Sequence, residues 1–566
     1  MHNNFTLFET SWEVAQKVGG IHTVIATKAR GLVGRLGDRY VCVGPWTLTD
    51  PERAVAFAEE RGFEGFADSC RALGVPVRVG RWEVPGRPRT VLVDASGLNA
   101  KKDDLFKDLW DRYRVDSLFG GWDYAEPTLF GLAAATVIER WWQEFVAPRG
   151  GEAVAQFHEW MTSSGMLQLK QRVPSIGTVF TTHATVLGRA LGAAGQGHET
   201  GLAGRTPDAA AEALGVRSKH SLEAAAAREA DVLTTVSELT ADEVEFFLRR
   251  RAQPVLVNGI DLESVDTMAA RATRETVHPA LQRLAAQFLG EDMSDAALLA
   301  AAGRYEFHNK GYDVVLSALG RVAKEPGRRA VLFLLVPAGH AGIRKEVLDR
   351  VQSNGQVTGG ALGLCTHKLF DADGDAIARA CKKAGLDNAP GSRVKVIHVA
   401  GYLSADDGLL GLPWEASLRG LDLTLFPSFY EPWGYTPVES LVAGVPTITS
   451  DLTGFGGWAL GEGRGTADGV TILPRRHRTD AEAEADLAGI VSRFLAGDPA
   501  TRAAPTACRS TASLLAWSKA LTSYDEAFGI ALARAADRAL GPARAFAARV
   551  PEAGEGTAPH FVDFEV

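Results

Sequence analysis

The chain has 566 residues, 46% of them hydrophobic and 23% charged, with a net charge of −9 at neutral pH. That length exceeds what one hydrophobic core supports and implies two or three domains. The acidic balance excludes a dedicated nucleic-acid binder, which carries a basic surplus, but it leaves room for a local basic pocket.

Short runs rich in Val, Leu, Ile and Phe recur along the chain, separated by helix-like stretches. In the first half they are Phe5–Phe8, Tyr40–Val43, Thr90–Val93, Val154–Phe157, Thr178–Thr182, Val232–Val236 and Pro254–Val257. In the second half they are Ala297–Ala301, Ala330–Val336, Val394–Val399, Leu421–Phe426, Pro446–Thr449 and Val470–Leu473. Continuous apolar strands alternating with helices indicate parallel sheets covered on both faces. Two such sets predict an α/β protein with two doubly wound, Rossmann-like domains and a site in the cleft between them. The turn at Asn258-Gly259 and the polar stretch up to Asp295 bracket the boundary. The expected division is residues 1–285 and 286–520, then C-terminal helices over 521–550 that return to the first domain, and a loose acidic tail over 551–566.

Five scattered cysteines, Cys42, Cys70, Cys365, Cys381 and Cys508, form no CxxC pair. They read as free thiols in a reducing compartment rather than zinc ligands or disulfides. The start MHNNFTLFE shows no signal-peptide pattern, and Val331–Val336 is strand-sized. A cytoplasmic protein that makes no membrane contact is therefore expected.

Ligands of doubly wound sheets bind beyond the carboxyl ends of the strands, so the residues after each strand are the candidates. ETSWEVAQKVGGIHTVI, Glu9–Ile25, carries Lys17 and the pair Gly19-Gly20, where backbone can approach a diphosphate with no Cβ in the way. FHEWMTSSG, Phe157–Gly165, places His158 and Glu159 at a strand end; TVFTTHATVLGRALG, Thr178–Gly192, does the same for His183 and Arg189. GRYEFHNKGYD, Gly303–Asp313, offers Arg304 and Lys310. Arg grips a diphosphate by paired hydrogen bonds and Lys acts as a point charge.

The most informative segment is LDLTLFPSFYEPWGYTPVESLVAGVPTITS, Leu421–Ser450. A strand runs into a loop of Pro, Gly and aromatics holding Glu431, Gly434, Tyr435 and Thr436, and a helix is expected to open at Pro437. Its N-terminus would favour an anion. Glu439 has two readings. It closes a capping box with Thr436, or it contacts a ligand. Trp414, in GYLSADDGLLGLPWEASLRG, is equally a packing residue or a flat platform for a base.

The segment YEPWGYTPVES resembles the E-x7-E motif of retaining glycosyltransferases of the two-Rossmann, GT-B architecture, and is more similar still to the animal and fungal type of glycogen synthase, glycosyltransferase family 3. The other segments match that family in the same order over most of the chain. The resemblance implies α-retaining transfer of glucose from UDP-glucose to the 4-hydroxyl at the non-reducing end of an α-1,4-glucan, with no metal or other cofactor. It puts Glu431 by the donor sugar, Glu439 on the nucleotide ribose, Trp414 on the uracil and His183 near the sugar. Arg304 and Lys310 would stabilise the leaving diphosphate, with Arg189 as a further donor contact and Glu159 on the acceptor side or one layer behind it.

Two departures from the family stand out. The stretch Thr501–Tyr524 offers only Arg502, Arg509 and Lys519 where the family has an arginine cluster for glucose 6-phosphate, so activation by that sugar phosphate is not expected. Between Pro337 and Val394 the family's long helical excursion is short, which leaves a homo-oligomer an open question. The alternatives are ADP-glucose as donor, another acceptor, a GT-B sugar-nucleotide epimerase and a catalytically silent glucan-binding scaffold. A nucleotide-dependent dehydrogenase is disfavoured by the lack of a strand-end GxGxxG.

Overall fold

The apolar runs become two sheets. In the first, β1 (Phe5–Thr10), β2 (Tyr40–Pro45), β3 (Phe57–Glu59), β4 (Val77–Trp82), β5 (Arg89–Val93), β6 (Glu152–His158), β7 (Ile176–Thr181) and β8 (Val232–Thr234) lie in the order β3-β4-β5-β2-β1-β6-β7-β8. In the second, β9 (Ala297–Ala302), β10 (Ala330–Leu335), β13 (Val394–Val399), β14 (Leu423–Phe426), β15 (Thr447–Ser450) and β16 (Val470–Leu473) lie in the order β13-β10-β9-β14-β15-β16. The computed structural model describes residues 4–46, 56–197, 201–269, 272–353, 357 and 359–547; the expected tail over 551–566 and residues 548–550 lie outside them.

From β5 to β8 the first sheet is parallel, and the second is parallel throughout. Each therefore has a doubly wound order with its reversal beside the first strand: β1 against β6 in one domain, β9 against β14 in the other. At such a reversal the flanking connections leave to opposite sides and open a crevice. Burial on both faces explains the apolar runs: every residue of β1 and of β9 is buried.

Three details differ from the sequence reading. Pro254–Val257 forms no strand and leaves only a bridge from Val255 to Thr235. An antiparallel extension, β3 and β4, edges the first sheet. In the short segment after β10, β11 (His340–Ile343) pairs antiparallel with β12 (His367–Leu369).

The helix Arg274–Leu289 lies astride the 285/286 division. Its Val277, Leu281, Leu284 and Phe288 pack with Leu298, Ala300 and Phe333 of the second sheet. The helix Trp517–Ala547 crosses back to the first sheet, where Trp517, Leu521, Tyr524 and Phe528 join Phe5, Val24, Ile25 and Val154 in one core. A Cβ on Gly177 would stand 2.6 Å from the Ala531 carbonyl oxygen, so glycine lets this helix lie directly on β7. Further along, Arg538 holds buried Asp231 through bonds of 2.6 and 3.0 Å, the bidentate geometry suited to a carboxylate. No helix among the described residues is long and apolar enough to cross a membrane.

Candidate active site

The two crevices face each other, and contacts between the domains bring their loops together. Tyr430, in the loop after β14, donates to Glu243 of the first domain at 3.1 Å. Its ring lies where a Cβ on Gly192 would be only 2.8 Å from it. Ser237 donates to the Pro432 carbonyl at 2.8 Å, and Tyr435 to the Gly259 carbonyl at 3.3 Å.

On the first-domain side Glu9, His158, His183 and Glu159 are buried and bonded to neighbours. Glu9 is the next-to-last residue of β1, and His158 closes β6. The Glu9 carboxylate lies 2.5 Å from the Lys28 ammonium, accepts the Tyr40 hydroxyl and sits 2.8 Å from His158 Nε2. His158 Nδ1 is 2.9 Å from His183 Nε2. Burial alone would raise the Glu9 pKa, but Lys28 and His158 reverse this and hold it down at about 2. Burial lowers both histidines below their ordinary range, which disfavours a charge on either.

Glu159 is buried, with its backbone at φ +64°. A residue with a Cβ is costly there and persists only where its surroundings fix it. Its carboxylate accepts from the amides of His183 and Ala184 at 2.9 and 3.2 Å, so it pins the His183 loop from behind. Burial pushes its pKa up to about 7, against the Arg189 charge and these amides. Two more buried carboxylates clasp the same turn. Glu223 accepts from Val186 N–H at 3.0 Å and Glu243 from Thr185 N–H at 3.1 Å, and burial raises both pKa values. Arg189 opens to the cleft. Crowding disfavours its charge, but Glu159, Tyr430, Glu306 and Glu431 more than reverse the effect and raise its pKa.

The Gly19-Gly20 turn is not free for a phosphate as expected. Glu13 takes the amides of Gly19 and His22, each at 2.8 Å, because the first N–H groups of the helix Gly20–Leu36 have no partner within it. Space beside Gly20 remains open. Exposed Lys17 lowers the Glu439 pKa from across the cleft.

On the second-domain side the groups are more accessible. Lys310 pairs with Glu431, linking the loop after β9 to the loop after β14; their side chains are 16% and 20% exposed. Arg304 is 61% exposed and pairs with Glu306 at 2.8 Å. Gly311 has φ +72°, and a Cβ there would stand 2.3 Å from the Pro427 carbonyl oxygen, so glycine lets these two loops meet.

The helix expected from Pro437 starts earlier, at Tyr435, because Gly434 at φ +104° turns the chain into it. Thr436 is then inside the helix and caps nothing, so the capping box does not form. Glu439 instead accepts from Trp414 Nε1 at 2.8 Å. Burial pushes its pKa up to about 7, opposed by that bond. The half-buried Trp414 is thus a hydrogen-bond donor to Glu439 as well as a packing residue.

The loops were expected to lack any metal-like cluster. Among the described residues one group, His308, Asp313 and Asp480, brings three potential ligand atoms within 4.8 Å of one another. It is internally satisfied, since His308 bonds Asp313 at 2.7 Å and Asp480 bonds Arg475 at 2.6 Å.

Sequence reasoning missed Glu9, Glu13 and Lys28 and left His158 unassigned. A charged residue next to the end of an apolar strand was the available signal for Glu9. Nothing local marks Lys28, whose partner is on another element. On the opposite edge of the second domain, Arg502 and Arg509 line a cavity of about 410 Å³ with Arg274, Arg328 and Arg419, which no single sequence window shows.

Two doubly wound domains sharing one cleft, with cations and carboxylates converging from both reversals, define a glycosyltransferase of the GT-B architecture. The fold is similar to that of the catalytic domain of starch synthase IV from Arabidopsis thaliana, with a TM-score of 0.56 at 15% identity over 94% of this chain and 99% of that one. It is also similar to the N-terminal domain of a Candida albicans trehalose-6-phosphate phosphatase, with a TM-score of 0.54 at 12% identity over 93% and 97%.

The chain belongs to the glycogen synthase family, whose model matches residues 9–358 and 361–544. It is 30% identical to the glycogen [starch] synthase of Caenorhabditis elegans over 86% of this chain and 82% of that one. It is 32% identical to the liver enzyme of Mus musculus over 84% and 75%, and 30% identical to isoform 2 of Saccharomyces cerevisiae over 87% and 81%. It is accordingly an enzyme that transfers glucosyl units in glycogen or starch synthesis.

Proposed function

We propose that this enzyme transfers glucose from UDP-glucose, with retention of the α configuration, to the 4-hydroxyl at the non-reducing end of an α-1,4-glucan, without a metal ion. The observation that carries this reading is the convergence on one cleft of Lys310 paired with Glu431 and of Arg189 coupled to Glu431 and Glu306 from the other domain. The choice of UDP rests on the resemblance of the Glu431–Glu439 segment to the animal and fungal enzymes.

The chief task in such a transfer is to stabilise charge on the departing diphosphate, which preorganised cations do well in a cleft that excludes water. Lys310 exchanges Glu431 for a phosphate oxygen, and Arg304, exposed at the rim, closes on the same group. Glu431, released from Lys310, orients the sugar and balances positive charge on its ring. It is not assigned as a covalent nucleophile. Glu439 holds the nucleotide ribose, and Trp414 backs the base. The departing phosphate oxygen takes the proton of the acceptor hydroxyl on the same face of the sugar.

The test is to incubate purified protein with UDP-glucose or ADP-glucose, with and without glycogen, in EDTA, following nucleotide release and glucose incorporation. Incorporation from UDP-glucose that EDTA leaves undiminished supports the reading. Incorporation from ADP-glucose alone would reassign the donor. Nucleotide release that glycogen does not stimulate would point to another acceptor.

A further inference from the structure

The chain Lys28, Glu9, His158, His183 fixes where every proton lies. Glu9 is ionised and can only accept, so His158 must carry its proton on Nε2, 2.8 Å away. His158 Nδ1 is then a lone pair. His183 Nε2, 2.9 Å from it, must carry the second proton. The remaining nitrogen, His183 Nδ1, is left unprotonated. A doubly protonated histidine is excluded on charge. Lys28 already balances Glu9, and both are 0% exposed, so a further cation there would be buried and unpaired.

We propose that Glu9 and His158 are positioning residues for sugar recognition: they lock His183 in the tautomer whose Nδ1 accepts a hydrogen bond from a hydroxyl of the transferred glucose. This rests on the donor site proposed above. The relay sets polarity rather than charge, since the hydroxyl must donate and a group able only to accept meets a lone pair.

Polarity gives a test that a merely structural role would not pass. Lys28 and His158 meet the same oxygen of Glu9 and Tyr40 meets the other, so reversal needs the double variant Glu9→Gln/Lys28→Met, whose amide oxygen accepts from Tyr40 while its N–H donates to His158 Nε2. The proton of His158 moves to Nδ1, that of His183 also moves to Nδ1, and the lock reverses. The first readout is nitrogen NMR of isotope-labelled histidine in the full-length protein. Both rings are expected to be Nε2-protonated in the wild type and Nδ1-protonated in the double variant. The second readout is turnover of UDP-glucose analogues in which one sugar hydroxyl at a time is replaced by fluorine, which only accepts. One analogue is expected to lose roughly 10- to 100-fold in kcat/KM with the wild type. The double variant should recover most of that loss while weakening the natural donor.

His158→Gln can donate to Glu9 and accept from His183. It should therefore keep the natural preference and stay within about threefold of wild-type turnover, whereas His158→Leu should lose it. Glu9→Gln alone, in which Lys28 keeps the amide oxygen turned toward His158, should retain the wild-type tautomers, so a reversal seen only in the double variant reports polarity and not loss of the carboxylate charge. A wild-type His183 protonated on Nδ1, or the same fluorine discrimination in wild type and the double variant, overturns the proposal. Nε2-protonated rings in a protein that turned over no nucleotide-glucose would overturn the substrate assignment and leave the tautomer lock standing.

Discussion

The two halves of the cleft are built in opposite ways. On the first-domain side Glu9, His158, His183 and Glu159 are all buried, and all are bonded to neighbours within that domain. On the second-domain side Arg304, Lys310 and Glu431 keep solvent contact, and their partners are one another or Glu306. One half is a fixed template. The other is a set of charges waiting to exchange partners. A transferase has use for both: rigid groups discriminate a sugar, while mobile cations follow a phosphate whose charge changes during the reaction.

The largest effect should come from the exchanging half. Lys310→Ala is expected to lower turnover by roughly 100- to 1,000-fold, the scale for losing one preorganised stabiliser of developing charge, with little change in melting temperature. Steady-state nucleotide release in the presence of glycogen checks this. Near-normal turnover would remove Lys310 from the diphosphate site.

The template half should reveal itself in stability. The folded-state pKa of Glu159 is pushed up to about 7, above the ordinary value of an unfolded chain. Its contribution is then fully present at acid pH and fades as pH rises through about 7. Denaturant unfolding of wild type and Glu159→Gln between pH ~4 and pH ~8 should show a gap that changes by up to about 3 kcal/mol. A gap that stayed constant would mean the carboxyl is not shifted.

Glu439 sharpens the comparison, because it belongs to the second domain yet is crowded. Its pKa of about 7 means that the carboxylate grows in as pH rises. If that carboxylate accepts from the ribose, donor KM should improve from pH ~6 to ~8, and Glu439→Gln should raise donor KM about tenfold at the upper end and abolish the slope. Loss of melting temperature with no change in KM would assign the residue to Trp414 alone.

The smallest effect tests how the halves meet. Gly192→Ala puts a methyl 2.8 Å from the Tyr430 ring, and one of them must shift. The domains should close less well, lowering turnover several-fold and leaving each domain's fold intact. Unchanged turnover would show that this contact does not limit closure.

The sequence made the template visible only in outline. Parallel strands buried on both faces spell themselves out as apolar runs, and the strand-end rule then led to His183, Glu159, Arg304, Lys310 and Glu431. β4 was harder. In VRVGRW, Val77, Val79 and Trp82 are buried while Arg78 and Arg81 are half-exposed, an alternation easily passed over beside longer runs. Glu439 carried the spacing of a capping box, and one glycine conformation at Gly434 voided that reading. Lys28 and Glu13 were hidden for a plainer reason. Their meaning lies in groups brought near by folding, and no window of neighbouring residues contains it.

The helix Trp517–Ala547 has a consequence for how the molecule is made. Tyr524 lies over the Lys28 ammonium, 4.3 Å from nitrogen to ring centre, and its neighbours complete the core under β1 and β7. The first domain to leave the ribosome is thus the last to be finished. Its sheet must wait for nearly the whole second domain to be synthesised before the segment that seals it arrives. During that interval an apolar face stays open, the condition under which large proteins call on chaperones. A chain truncated before Trp517 would carry nearly every residue of the cleft and still lack the cover over the base of its relay.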